Sequence, residues 1–348
     1  MVNIMFLAAY VAGGMPRVTA DDAQKLDLIN IAFGTIKDGL LHFTQNVRPE
    51  IERLKAVNPE LKVLLSIGGW GAGGFSDMSA TEEGIAAFTA SCMEEVRNSA
   101  LDGIDIDWEY PTMDSAGIDA SPADRENFTK LLASLRSALD TDFPGTHKML
   151  TIAAGAAKFF IDAVEISEIV PLLDYVSLMT YDLAGVGCPA THHTALYPSE
   201  TTRGSVDQAV RLFHEAGIPY EKLVIGAAFY SRRWTNIPDG GTHGLGQRCD
   251  DPEDKTSGLW GPGFTGICKF LGEDGKGTDG WYVGYDETAR AHWLYHPEKR
   301  EMLSFDDEQS VAEKVRYVKA RSLAGIMYWE HNSDPSRRLL ASMAAAKN

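Results

Sequence analysis

Short runs rich in Ile, Val, Leu and Ala alternate with longer stretches of helical period along the whole chain. The runs at 3–10, 26–33, 61–67, 102–108, 148–154, 174–181, 222–229 and 323–329 are nearly continuous in hydrophobicity. A strand with one wet face alternates apolar and polar side chains, whereas one covered on both faces does not. These runs therefore read as buried parallel strands. Helical segments lie between or after them, at about 45–57, 81–99, 122–141, 204–216, 308–321 and 335–346, with weaker turns near 17–25 and 160–170. Start signals agree, as in Thr81-Glu-Glu-Gly before Ile85 and Ser121-Pro122 before the long third segment. Eight strands, each followed by a helix, predict an α/β fold, a (β/α)8 barrel.

One stretch breaks the rhythm. Between the seventh and eighth strands, residues 231–305 are rich in Gly, Trp, Asp and Pro. Within them 281–285, 291–295 and 301–305 read as short antiparallel strands. A structureless loop of that length would be unusual, so the stretch is expected to form a small α+β insertion. The barrel would then comprise 1–230 and 306–348, with the insertion leaving the C-terminal end of strand seven, the face where barrel enzymes keep their sites. Trp234, Trp260, Trp281 and Trp293 read as packing of this insertion.

Composition narrows the function classes. The 348 residues include 32 Lys plus Arg against 49 Asp plus Glu, a net charge of -17. That balance speaks against a nucleic-acid partner or a polybasic membrane anchor and for a neutral or cationic ligand. No apolar run reaches the roughly 20 residues that span a bilayer, so no membrane partner is expected. The apolar residues 4–10 have no basic segment before them and read as the first strand rather than a leader. Of four cysteines, Cys249 and Cys268 are close enough in sequence to bridge one loop, or stand as free thiols.

The densest chemistry is at 102–111, Asp-Gly-Ile-Asp-Ile-Asp-Trp-Glu-Tyr-Pro. Side chains alternate along a strand, so Asp105, Asp107 and Glu109 share one face and Ile104, Ile106 and Trp108 the other. With the apolar face toward the helices, the acids point into the barrel. Three stacked carboxylates cannot all ionise cheaply, so a proton is shared, and Glu109 nearest the mouth is the natural acid. The spacing also suggests a calcium loop, but Tyr110 stands where such a loop needs Gly, and the segment is strand. No metal and no other cofactor is expected.

This segment resembles the signature of family 18 glycoside hydrolases, the chitinases among them. Other positions match in order: Ser66-Ile-Gly-Gly-Trp70 after strand three, Met179-Thr-Tyr-Asp182 after strand six, Tyr230-Ser-Arg232 after strand seven, and Gly325-Ile-Met-Tyr-Trp-Glu330 on strand eight. The resemblance implies retaining hydrolysis in which the substrate's own N-acetyl oxygen is the nucleophile, an exception to the two-carboxylate scheme. Glu109 would protonate the glycosidic oxygen. Asp107 would take the acetamido N–H, with Asp105 behind it sharing a proton, and the Tyr181 hydroxyl would hold the acetamido carbonyl. Met179 and Asp182 would shape the same pocket, Trp329 would floor the distorted sugar, and Tyr10 and Phe33 would wall it. Trp70, Tyr110, Tyr230 and Arg232 complete the implied substrate-binding set.

The chain departs from the family after Asp182. Leu183-Ala-Gly-Val-Gly follows where many chitinases carry a Trp, and His192 and His193 come soon after. Those histidines could contact substrate, bind metal or hold the loop, and loop structure is the default because adjacent residues point different ways. The expected protein is a chitinase taking chitin or chitooligosaccharides, monomeric, and secreted by resemblance although the chain shows no leader; a cytoplasmic place is the alternative. A rival is an endo-β-N-acetylglucosaminidase on glycoprotein or peptidoglycan glycans. A chitinase-like lectin is disfavoured because Glu109 is present with both aspartates.

Overall fold

The computed structural model describes residues 5–187, 189–250, 257–272 and 275–348. Eight strands carry the fold: β1 (Phe6–Ala12), β2 (Leu28–Lys37), β3 (Lys62–Gly68), β4 (Gly103–Asp107), β5 (Met149–Gly155), β6 (Tyr175–Met179), β7 (Leu223–Ala228) and β8 (Gly325–Trp329). Their order in the sheet is β1-β8-β7-β6-β5-β4-β3-β2, with β1 also paired to β2, so the fold is the (β/α)8 barrel expected from the sequence. All eight apolar runs coincide with these strands. The reason is visible in their burial: every residue of β4, β5 and β7 is buried, as double coverage requires.

The described residues fall into two compact units. One takes the residues up to Leu178, with Leu212–Val224 and Ser322–Gly325; the other takes Met179–Arg211, Ile225–Arg321 and Ile326–Asn348. In the first, β1 through β5 pair in parallel register, which sets Ser66, Asp105 and Thr151 side by side on adjacent strands. The helix Glu82–Asn98 starts where Thr81 accepts the Gly84 amide, 3.0 Å, and buries Ile85, Phe88, Cys92, Met93 and Val96 at helical spacing. The helix Asp124–Asp142 buries Phe128, Leu131, Leu132, Leu135 and Leu139 likewise. Its buried Asp124 accepts from Ser76 Oγ at 2.7 Å and from the amides of Thr112 and Ser121, and so ties down the loop that follows the acid strand.

In the second unit the strands Leu259–Gly263, Tyr230–Trp234, Glu301–Phe305, Ala291–His296 and Tyr282–Asp286 form one antiparallel sheet in that order. Three of the five were expected; the other two were not. Beside the sheet, Trp234, Ile237, Leu245, Cys249, Trp293, Tyr295 and Met302 make a separate apolar cluster. Cys249 is disulfide-bonded and Cys268 is a free thiol, so neither expectation for this pair holds. Their settings differ: Cys249 is sunk in the apolar cluster, whereas Cys268 Sγ accepts a hydrogen bond from Arg338 Nη1 at 3.3 Å. No helix among the described residues is long and apolar enough to cross a membrane.

Candidate active site

The acids of the fourth strand form a buried column. Asp105 is wholly inaccessible, Asp107 is 4% exposed and Glu109 is 8% exposed. Trp108, on the other side of the chain, stacks on Phe75 with ring centroids 5.1 Å apart and meets Phe128 edge-on. That packing fixes which way the carboxylates face. Asp105 accepts three hydroxyl hydrogen bonds, from Thr151 (2.6 Å), Ser66 (2.7 Å) and Tyr10 (2.9 Å). Two of the three donors are its direct neighbours in the parallel register, so a single rung of the barrel satisfies it. Tyr10 is accordingly buried beside the column.

Glu109 stands two residues beyond the end of β4, so strand alternation alone does not determine its direction. The turn beside it depends on glycine. Gly68 has φ +121° and a Cβ there would lie 2.0 Å from the Asp107 carbonyl oxygen; the same oxygen accepts the Gly69 amide at 2.9 Å. The pair is thus a close-approach device that lets β3 end against the acid strand. A Cβ on Gly69 would strike the Phe33 ring at 2.7 Å, which locates Phe33 at the same turn.

Burial raises the Asp107 carboxyl well above the usual range, and the nearby charges of Glu109 and Asp105 add to the effect. Burial also raises Asp105, with its three hydroxyl donors pulling back. Asp107 Oδ1 has no hydrogen-bond partner among the described residues. A carboxyl whose folded pKa is raised costs nothing when protonated and destabilises the fold as pH rises through that pKa. Asp107→Asn should therefore melt higher than the parent in alkaline buffer, with the gap closing at low pH. Calorimetric melting across pH reads this; a gap that widens toward acid would contradict the raised pKa.

Around the column the first unit presents aromatic rings. Trp70 is 65% exposed and lies edge-on to Tyr110 at 6.4 Å, and Tyr110 packs on Phe159 at 5.0 Å and Phe160 at 6.2 Å. Phe159 is itself exposed and was not anticipated, because nothing in a helix start reading Lys-Phe-Phe distinguishes a surface ring from a core one.

The second unit holds a charged cluster at the end of β6. Asp182 accepts the Tyr230 hydroxyl at 2.7 Å and Arg232 Nε at 2.5 Å, and its other oxygen pairs with Arg232 Nη2. His193 Nδ1 lies 3.3 Å from the Asp182 amide and 3.4 Å from its carboxylate. Burial alone would raise Asp182; the hydrogen bonds of His193 and Arg232 and the Arg232 charge overcome it and hold the group ionised, well below the usual carboxylate range. The Tyr181 hydroxyl points at Met327 Sδ, 3.8 Å away, and its ring meets Tyr230 edge-on at 6.0 Å. Met179 and Trp329 are half-buried at the ends of β6 and β8.

His192 and His193 are both fully buried. His192 lies 3.5 Å from Asp286 and edge-on to Trp293, while His193 packs on Tyr230 at 5.2 Å and its amide donates to Ser304 Oγ. Burial keeps both rings toward the neutral form against the pull of their aspartates. Among the described residues no group of three or more His, Cys, Asp or Glu is arranged to hold a metal ion.

The family model described as glycosyl hydrolases family 18 matches residues 5–334. Chitinase A1 of Niallia circulans is 31% identical over 85% of this chain, and Chitinase 1 of Aphanocladium album is 33% identical over 80%. This chain covers 44% and 63% of those two proteins, less than two thirds of either. Among solved structures, a glycoside hydrolase family 18 N-acetylglucosaminidase from Paenibacillus barengoltzii superposes with a TM-score of 0.91 and 42% identity, over 98% of this chain and 99% of that one.

Proposed function

Since the chain belongs to glycosyl hydrolases family 18, we propose that it is a chitinase. It hydrolyses β-1,4-linked N-acetylglucosamine polymers with retention of configuration, and Glu109 serves as general acid and then general base. The observation that carries this reading is the acid column, in which exposure rises from Asp105 through Asp107 to Glu109. Asp107 and Asp105 both hold protons more readily than free carboxyls, and Glu109, the most exposed of the three, is the member a glycosidic oxygen can reach as general acid. The two curated relatives named above are both chitinases, which supports the substrate class.

Within this reading Asp107 takes the acetamido N–H and Asp105 relays the shared proton as the sugar charge develops. Tyr181 and Asp182 receive the acetamido group, and Met179 lines the same pocket. Arg232 and Tyr230 fix Asp182 in its ionised form, so it stays a hydrogen-bond acceptor throughout the cycle. Trp329, Trp70, Tyr110 and Phe33 belong to the sugar-binding set, since aromatic faces match the apolar C–H faces of pyranose rings; Tyr10, buried with its hydroxyl on Asp105, acts through that carboxyl instead of walling the sugar.

The test sets chitin hexamer beside a high-mannose glycopeptide, each incubated with the protein and resolved by liquid chromatography. The hexamer should be cut and the glycopeptide left whole. Release of the glycan with the hexamer untouched would transfer the assignment to an endo-β-N-acetylglucosaminidase.

A further inference from the structure

Four tryptophans lie between β7 and β8, and three of them are core. Trp234, Trp281 and Trp293 are buried, and the indole N–H groups of Trp234 and Trp293 are satisfied by the carbonyls of Gly187 and His243. Trp260 is different: it is 55% exposed, against the packing role expected for it from the sequence. Its inner face is fully backed. The Tyr230 ring stacks beneath it, centroids 4.5 Å apart and planes 19° from parallel, and the Arg232 guanidinium lies 5.2 Å from its centroid. This follows from the ladder, which places Trp260 directly opposite Arg232, so that it shares a face with Tyr230 two residues earlier.

The backing is rigid. Tyr230 is buried and anchored to Asp182 through its hydroxyl; Arg232 is tied to Asp182 and to the Gly258 carbonyl at 3.2 Å. A single exposed apolar side chain is ordinary on a protein surface, and Leu259 and Tyr282 are examples here. An indole stacked on the buried Tyr230 ring beside Arg232, and still 55% exposed, is a preorganised stacking surface with polar groups at its rim.

We propose that Trp260 is a carbohydrate-stacking platform that takes one pyranose ring of a β-linked N-acetylglucosamine chain, adjoining the sugar whose acetamido group meets Tyr181 and Asp182. This rests on the function proposed above and makes Trp260 a determinant of oligomer affinity rather than of bond cleavage. The equatorial linkages of such a chain leave axial C–H groups on the ring face, which matches the open indole. Arg232 and Asp182 provide a donor and an acceptor for the hydroxyls at the ring edge.

The test measures binding of chitin tetramer and hexamer by calorimetry in the Glu109→Gln protein, where turnover does not interfere. Adding Trp260→Ala should weaken binding by about ten- to a hundredfold, while Trp260→Phe keeps affinity within a few-fold of the parent. Leu259→Ala, an exposed neighbour on the same strand, should change nothing, and the denaturation midpoint of Trp260→Ala should match its parent. Unchanged affinity in Trp260→Ala overturns the platform, as does equal weakening by Leu259→Ala. If the Glu109→Gln parent binds neither oligomer, the functional reading fails and the platform falls with it.

Discussion

Glu109→Gln should lower kcat on chitin oligomers by about 10²–10⁴-fold, the usual worth of a positioned general acid, and leave oligomer binding nearly intact. The amide keeps the volume of the carboxyl and can still donate a hydrogen bond, but it has no proton to give to a departing sugar hydroxyl. The column beneath should survive, because Asp105 is satisfied by Thr151, Ser66 and Tyr10 rather than by Glu109. The substitution also removes one of the charges that raise Asp107, so the Asp107 pKa should fall toward the usual carboxylate range. Steady-state kinetics together with calorimetric binding separate the effects. Turnover within a few-fold of the parent in a folded, oligomer-binding Glu109→Gln protein would remove Glu109 from the acid role.

Much of this was legible from the chain because burial on both faces leaves an unmistakable record. A run such as Met149–Gly155 or Leu223–Ala228 has few alternatives to a covered parallel strand, and a barrel repeats the pattern eight times. The acid column was legible for the opposite reason: three carboxyls at alternate positions in an apolar strand have no cheap structural use. What supports the column was harder to read. Ser66 and Thr151 reach Asp105 only through interstrand register, and register is a property of pairing, not of either strand alone. A lone Thr among apolar residues in β5 was the available signal.

The strands Tyr230–Trp234 and Leu259–Gly263 escaped notice because one is half charged and the other reads Leu-Trp-Gly-Pro-Gly, so neither shows clean alternation. Missing that pairing meant misplacing Trp260. Its ring direction is set by the residue opposite it, Arg232, and not by its own neighbours in the chain. The histidines illustrate the same limit. Adjacent His192 and His193 do turn to different surroundings, one toward Asp286 and Trp293, the other toward Asp182 and Tyr230. The partners of His192 lie more than ninety residues along the chain, beyond the reach of any local pattern.

A fully deacetylated oligomer of the same β-1,4 linkage should be cut at least a thousandfold more slowly than the acetylated one, and a stable thiazoline mimic of the cyclised sugar should inhibit competitively. Both follow from the proposed mechanism, in which the substrate supplies the nucleophile. A conventional retaining glycosidase needs a second carboxylate ~5 Å from the acid and across the anomeric carbon from it. Asp107 is buried and close enough to Glu109 for the two carboxyls to feel each other's charge, so it lies beside the acid rather than across a sugar from it. Asp105 is inaccessible and fully engaged by three hydroxyls. Asp182 is committed to Arg232 and Tyr230 and held ionised by them, which suits a fixed acceptor and not a group that must form and break a covalent bond. On the function proposed above the acetamido oxygen of the substrate is the nucleophile, and its attack would invert the anomeric carbon once before water inverts it again. Proton NMR of the first product, read before mutarotation, should thus show the β anomer. An α-anomeric first product would point to a single direct displacement by water, and rapid cleavage of the deacetylated oligomer would require a nucleophile supplied by the protein.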